Sequence, residues 1–412
     1  MNASLDSRTA APAPAAAPDP ALPRQTEALR RRLAELRGPE AAPYPLDARA
    51  LAALAANPGC RRRALLDGAG VDKGALARAL GSPATFGQSQ FAFVRGNAFE
   101  ARVGADGGAE LVRLLCETHR DVPAPGPEGV SVPDLSATGQ AARAARTRLA
   151  LAEAFTAERW SLLFHPMVTL DVAGAPAYLE PDVVAVGPDG RCTVVEIKSF
   201  PVVDGSADAA KVGAAARQAA VYALALGRLA ERIDGPAPSH ADAPRGAGRI
   251  RPTALLVCPR DFSNLPTGEP VDVRKQLAVT RRQLARLTRI EEIAASLPEG
   301  TTFDLRPAAD GTPTRPADEL TGAVESVDAS YSPECLAACE LAFHCRSRSR
   351  GSGAVEALGR SVRGELGGLT TVEAVLLAAA GTQGDAADPA VSALRRAASL
   401  RAEALAGEAP CH

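Results

Sequence analysis

Residues 179–198 place the tightest constraint on what this chain can fold into. Leu179-Glu180-Pro181-Asp182-Val183-Val184-Ala185-Val186 is followed by Gly187-Pro188-Asp189-Gly190 and then by Arg191-Cys192-Thr193-Val194-Val195-Glu196-Ile197-Lys198. Two β-branched apolar runs around a Gly-Pro-Asp-Gly turn predict a β-hairpin. Symmetry about Asp189 pairs 186 with 192, 184 with 194 and 182 with 196. Asp182 and Glu196 then stand opposite each other with Cβ atoms about 4.5–5.5 Å apart, and like charges there repel unless a cation lies between them. A divalent metal meets that need. Side chains alternate faces with period two, so Lys198 projects on the same face as Glu196. Val183, Val184, Val186, Val194, Val195 and Ile197 make both faces apolar, which implies a strand covered on both sides and buried charges. A solvent-facing hairpin carrying a Glu and a Lys is the bland alternative. Against it, lysine occurs only at 73, 198, 211 and 275 in a chain that otherwise uses arginine, so position 198 calls for a compact point charge.

At 412 residues the chain can bury a substantial core, in two or three domains or in one elaborated domain. The formal charge of −2 supplies no global basic field, so any nucleic-acid footprint must be local. Local candidates are Arg30–Arg32, Arg61-Arg62-Arg63, the basic residues between Arg274 and Arg289, and Arg346, Arg348 and Arg350. No apolar run approaches a membrane span and no signal-peptide pattern opens the sequence, so the expectation is a soluble, cytoplasmic protein with no membrane partner. In a reducing compartment, eight cysteines argue for metal ligation or buried thiols rather than disulfides. There is no G-x-x-x-x-G-K-[ST] phosphate loop.

An Ala/Pro-rich tail, assigned to residues 1–44, cannot bury a core and is expected to be disordered. Residues 45–350 form the main domain, and 351–412 a helical appendage. The coarse pattern gives a helix from Phe99 past Glu117, another over 138–160, and a strand over 164–172. After the hairpin come a helix over 209–233, a buried strand over 252–258 and a basic amphipathic helix over 273–297. Pro/Gly-rich stretches at 122–133 and 235–248 read as loops. The order suits an α/β fold, a mixed central sheet flanked by helices.

Asp182 after proline, Glu196-Ile197-Lys198 after the turn, and Gln218-x-x-x-Tyr222 on the next helix resemble the PD-(D/E)xK nuclease signature in its RecB-type form. Gln218 and Tyr222, four residues apart, share one helix face and can both reach toward the hairpin. The resemblance implies a restriction-endonuclease-like fold and metal-dependent hydrolysis of DNA phosphodiesters, on single-stranded or end-containing DNA. The family's upstream Gly-x-x-x-His corresponds to Arg95-Gly96-Asn97-Ala98-Phe99-Glu100, with phenylalanine where the histidine belongs. Glu100, one residue on, is the favoured third acid beside Asp182 and Glu196, since oxygen ligands suit Mg²⁺ or Mn²⁺; Glu180 is the runner-up. In this reading Lys198 orients the attacking water, Gln218 and Tyr222 position the backbone or the lysine, and Arg61, Arg62, Arg63 and Arg95 contact nucleic acid.

Cys335-x3-Cys339-x5-Cys345 lies after this region and Cys60 before it. The pattern is similar to the iron–sulfur RecB-type nucleases, the AddB-type domains and CRISPR-associated exonucleases, in which one early and three late cysteines hold a [4Fe-4S] cluster. The family spacing is C-x2-C-x5-C, one residue shorter. A Zn²⁺ site on Cys60, Cys335, Cys339 and either His344 or Cys345 is the rival. Cys192 and Cys258 fall in strands and read as buried small hydrophobes. The competing functions are a catalytically inactive nucleic-acid-binding or adaptor protein on the same fold and a zinc-stabilised interaction protein. A helicase or another repair or defence protein is the partner class the resemblance leaves open, and oligomeric state is not written in the sequence.

Overall fold

A computed structural model describes residues 27–57, 59–83, 90–120, 122–126, 129–172, 175–235, 244–261, 263–285, 290–310 and 312–407. The hairpin forms in the expected register. Strands β4 (Val183–Val186) and β5 (Cys192–Ile197) pair antiparallel, with 186 opposite 192 and 184 opposite 194. The turn closes through Gly190 N–H to the Gly187 carbonyl at 2.9 Å, and Gly190 takes φ +69°, a conformation that costs an L side chain. All residues of both strands are buried.

The strands preceding the hairpin are β1 (Ser161–Phe164), β2 (Val168–Val172) and β3 (Ala175–Leu179); those following it are β6 (Thr253–Pro259) and β7 (Pro266–Asp272). Five of them form one mixed sheet in the order β1-β4-β5-β6-β7, and β2 and β3 form a separate hairpin. Among the described strands of this sheet, only β5 and β6 pair parallel. A parallel step needs a crossover, here the helix Ala209–Asp234, whose first turn is capped by the Asp208 side chain on the N–H groups of Ala210 and Lys211.

Two cores follow from the period-two alternation. Val183, Val195, Ile197 and Leu255 pack with Phe99, Val103 and Leu111 from the helices Gln90–Val103 and Ala105–Thr118 on one face. Val184 and Val194 join Ala219, Tyr222 and Leu226 of the long helix on the other. Helices Ala48–Ala56, Arg61–Ala69 and Lys73–Ala79 extend this second core, and the late segment around the 3₁₀ turn Pro333–Ala337 returns to them. Arg62 N–H bonds to the Asp328 carbonyl at 2.9 Å.

Several expectations need correction. Residues 27–44 are not a disordered tail: Glu27–Arg37 is a helix with Leu33 and Leu36 buried. The expected strand over 164–172 is two strands, broken at His165 and Pro166, where the ladder loses a donor. The helix begun near Phe99 is interrupted at Gly104, and Asp106, Gly107 and Gly108 take left-handed φ values. The 273–297 helix is Arg274–Ala285 and Ile290–Ala295, with 286–289 outside the described residues. Strands β3 and β7, both proline-bearing and weakly patterned, had no counterpart in the sequence reading. Beyond residue 351 the helices Arg360–Glu365, Val372–Ala379 and Pro389–Gly407 follow, and Cys411 lies outside the described residues. Among the described residues no helix is long and apolar enough to cross a membrane.

Candidate active site

At the open end of the β4–β5 hairpin, the chain brings Asp182, Glu196 and Lys198 into contact. Lys198 Nζ lies 2.6 Å from Glu196 Oε2 and 3.2 Å from Asp182 Oδ2. Asp182 Oδ2 also accepts the Ile197 N–H at 2.7 Å, so the carboxylate just before β4 is pinned to the strand that carries its partner. The Lys198 N–H continues the β5–β6 ladder to the Val257 carbonyl at 2.9 Å. The backbone under all three groups is therefore rigid.

The Glu196 side chain is only 2 % exposed, against 24 % for Lys198. Burial pushes the Glu196 carboxyl up to about 7, against the pull of Lys198. Burial also works against the Lys198 ammonium, but the carboxylates of Glu196 and Asp182 hold its pKa above the usual lysine value. Among the described residues, Glu196 Oε1 is buried without a hydrogen-bond partner. An unsatisfied buried carboxylate oxygen beside a second carboxylate is costly unless a cation takes it up.

Glu100 comes to this centre from the helix Gln90–Val103. Burial, and then the charge on Asp182, raise its carboxyl above the normal glutamate range, while His165 and Lys198 act the other way. Phe99, in the histidine position of the family motif, turns away and is 1 % exposed in the core beneath the sheet. Glu180 does not meet Lys198. It forms a two-pronged pair with Arg143, at 2.8 and 3.1 Å, on the helix Gln140–Ala154.

Gln218 and Tyr222 act on the backbone rather than on the acids. Gln218 Nε2 donates to Tyr222 Oη at 3.0 Å, and Tyr222 Oη donates to the Glu180 carbonyl at 3.0 Å. This relay fixes the Glu180-Pro181-Asp182 segment. Burial, reinforced by the charge of Glu196, raises the Tyr222 phenol, so it stays a donor.

The sequence reading missed His165 and Arg143. Arg143 Nη2 donates to the His165 carbonyl at 3.0 Å, and His165 Nε2 lies 3.3 Å from Glu100 Oε1. No spacing motif ties either residue to the hairpin. The one available signal was the His-Pro pair interrupting an apolar run.

Of the residues proposed to touch nucleic acid, Arg95 is exposed and Arg61 is half-buried, 3.6 Å from Asp328. Arg62 and Arg63 are corrections. Both are buried, Arg62 donating to the Val327 carbonyl and to Cys345 Sγ, and Arg63 paired with Asp67 at 2.6 Å and Glu340 at 2.8 Å. Asp67 apart, their partners come from residues 327–345, so Arg62 and Arg63 face inward.

Cys60, Cys335 and Cys339 line one small cavity, and Cys345 stands close enough to feel the charges of Cys339 and Cys60. Cys345 Sγ accepts from Arg62 Nη1 at 3.2 Å, and Cys335 Sγ from Asn57 Nδ2 at 3.4 Å. The Arg63 guanidinium lies close enough to Cys339 for its charge to act on the thiol. Burial raises the Cys339 thiol and pushes the Cys345 thiol up to about 11, while the charges of Arg63 and Arg62 act the other way. The charged neighbours of His344 are instead Arg62, Glu325 and Arg348, and its Nε2 is buried without a partner. Cys192 and Cys258 are fully buried in β5 and β6. Among the described residues, no three His, Cys, Asp or Glu side chains stand in a metal-ligating arrangement. Compared with models of protein families, with curated proteins and with solved structures, the chain matches none of them.

Proposed function

We propose that this chain is a metal-dependent nuclease of the RecB-type PD-(D/E)xK class with a restriction-endonuclease-like core, hydrolysing phosphodiester bonds in single-stranded or end-containing DNA. One observation carries the reading: Asp182, Glu196 and Lys198 meet at the open end of a buried hairpin, with Glu196 offering an oxygen that no group among the described residues satisfies. An all-oxygen donor set of Asp182, Glu196 and Glu100 fits Mg²⁺ or Mn²⁺. A divalent ion held there would polarise the scissile phosphate and make bound water acidic enough to attack.

The chain's own groups supply the rest. Lys198, fixed between two carboxylates, offsets negative charge as it gathers on the phosphate oxygens and orients the attacking water. The rigid strand pair keeps that ammonium from reorganising during the reaction. Gln218 and Tyr222 hold the Asp182 backbone in place, which matters because small misplacements of a reacting group cost orders of magnitude. Arg95, exposed on the Glu100 helix, would contact the phosphate backbone, a positioning contact without base specificity.

The test is cleavage of end-labelled single-stranded DNA by full-length protein. Mg²⁺ or Mn²⁺ should be required, and Asp182→Asn should lower the rate by about 10²-fold or more, the scale seen when one transition-state partner is removed. DNA binding without cleavage by the wild type, in either metal, would leave the adaptor reading, which the inward-turned Phe99 favours.

In the same reading the four cysteines hold a structural [4Fe-4S] cluster: Cys60, Cys335 and Cys339 line one cavity, and the sulfurs of Cys335 and Cys345 accept N–H donors from Asn57 and Arg62. Four thiolates, rather than three with His344, fit the neighbourhoods described above. Anaerobically purified protein should be brown, with iron and acid-labile sulfide in equal amounts, and Cys339→Ser should lose both together with thermal stability. Colourless protein carrying stoichiometric zinc would establish the zinc alternative.

A further inference from the structure

We propose that His165 is a direct ligand of the divalent cation held by Asp182, Glu196 and Glu100, making the site a mixed nitrogen–oxygen centre. The proposal rests on the nuclease reading of that site and deepens it. His165 occupies the break between β1 and β2 and takes a left-handed φ of +47°. That conformation is strained for a non-glycine residue, and it persists only where the surroundings enforce it.

Here they do so through the site itself. The His165 N–H donates to the Asp182 carbonyl at 3.0 Å, and the His165 carbonyl accepts from Arg143 at 3.0 Å. Arg143 in turn grips Glu180, whose own carbonyl receives the Tyr222 hydroxyl. The backbone that presents Asp182 thus also presents His165. A surface histidine with no task beyond an exposed ion pair would gain too little to offset the strain.

The ring is half-exposed and aims Nε2 at Glu100 Oε1, 3.3 Å away, while Nδ1 faces Glu180 Oε1 at 3.8 Å. Two adjacent ligands on an octahedral ion with bonds near 2.1 Å lie about 3 Å apart, the product of the bond length and √2. The Glu100–His165 pair needs to move only a few tenths of an ångström to share an ion. Glu100 in turn lies near enough to Asp182 for their charges to interact, which connects the imidazole to the hairpin acids. A nitrogen ligand shifts preference away from Mg²⁺, which favours oxygen, toward Mn²⁺.

The test uses full-length protein titrated with Mn²⁺ and with Mg²⁺, followed by calorimetry and by pulsed electron paramagnetic resonance of the Mn²⁺ form. Wild type should show nitrogen modulation from a bound imidazole. His165→Ala and His165→Asn should abolish it and weaken Mn²⁺ binding by about tenfold or more, with a smaller change for Mg²⁺. Asparagine tolerates left-handed φ, so that variant keeps the corner if alanine disturbs it, and matching thermal unfolding would confirm this. Mn²⁺ bound without nitrogen modulation, or bound equally well by both variants, overturns the role of His165 alone. Mn²⁺ binding that is missing in wild type, or unchanged in Glu196→Gln, overturns the underlying cation site instead.

Discussion

Replacing Lys198 by methionine is expected to slow DNA cleavage by about two to three orders of magnitude, the range found when a single donor to developing charge is deleted. Methionine keeps the length and much of the volume of the lysine stem, so packing beside β5 is largely retained. What disappears is the ammonium 2.6 Å from Glu196 and 3.2 Å from Asp182. Two carboxylates then face each other with no counter-charge, one of them almost wholly buried. Without divalent cation the variant should lose up to about 3 kcal/mol of stability, the cost of breaking a buried pair from one side. Added Mn²⁺ or Mg²⁺ should restore much of that loss, because the ion takes over the neutralising role. Chemical denaturation with and without metal, alongside single-turnover cleavage, separates the two effects. A variant that cleaves at the wild-type rate would reduce Lys198 to a structural counter-ion.

The second large effect is expected far from the hairpin. Asp67 is 2 % exposed and binds both Arg63, at 2.6 Å, and Lys73, at 2.7 Å. Asp67→Ala leaves two buried cations with a single remaining carboxylate, Glu340, on Arg63. Losing the anionic member of such a network costs about 3–5 kcal/mol. The damage should spread to the cysteines, because Arg63 donates to the Ala338 carbonyl, next to Cys339. Urea unfolding should show a midpoint shifted far down with little change in slope. Asp67→Asn should recover part of the loss by keeping one acceptor, and an alanine variant as stable as wild type would refute the network as a source of stability.

Those two sites differ in how much of them the sequence discloses. The hairpin register follows from local information: a four-residue turn, β-branched runs on each side and a period of two, which together fix which residues oppose each other. The long helix follows from a periodic apolar stripe, and its i, i+4 spacing places Gln218 beside Tyr222 before any coordinate is known. The partner of Tyr222 was not legible. Its hydroxyl meets a backbone carbonyl at residue 180, and a carbonyl carries no sequence signature.

The Arg61–Arg63 run shows the limit most sharply. In the sequence it is a basic patch, and only Arg61 behaves as one. Whether an arginine faces solvent depends on whether acids and carbonyls arrive to satisfy it, and here Asp67, four residues on, is joined by groups from residues 327–340. His165 is the complementary case. One histidine beside a proline has no spacing to mark it, yet the fold sets it against Glu100 and ties its backbone to Asp182.

From its residues alone the chain determines a mixed α/β fold, the opposition of Asp182 and Glu196, the side on which Lys198 projects, and the helix face that carries Gln218 and Tyr222, because these depend on periodicities read over a few residues. Tertiary packing alone decided that Phe99 turns inward while Glu100 turns toward the acids, that Arg62 and Arg63 are interior, and that the His165 ring lies against Glu100. Each of those outcomes is set by charge neutralisation and burial among groups distant in sequence, and no local pattern encodes them.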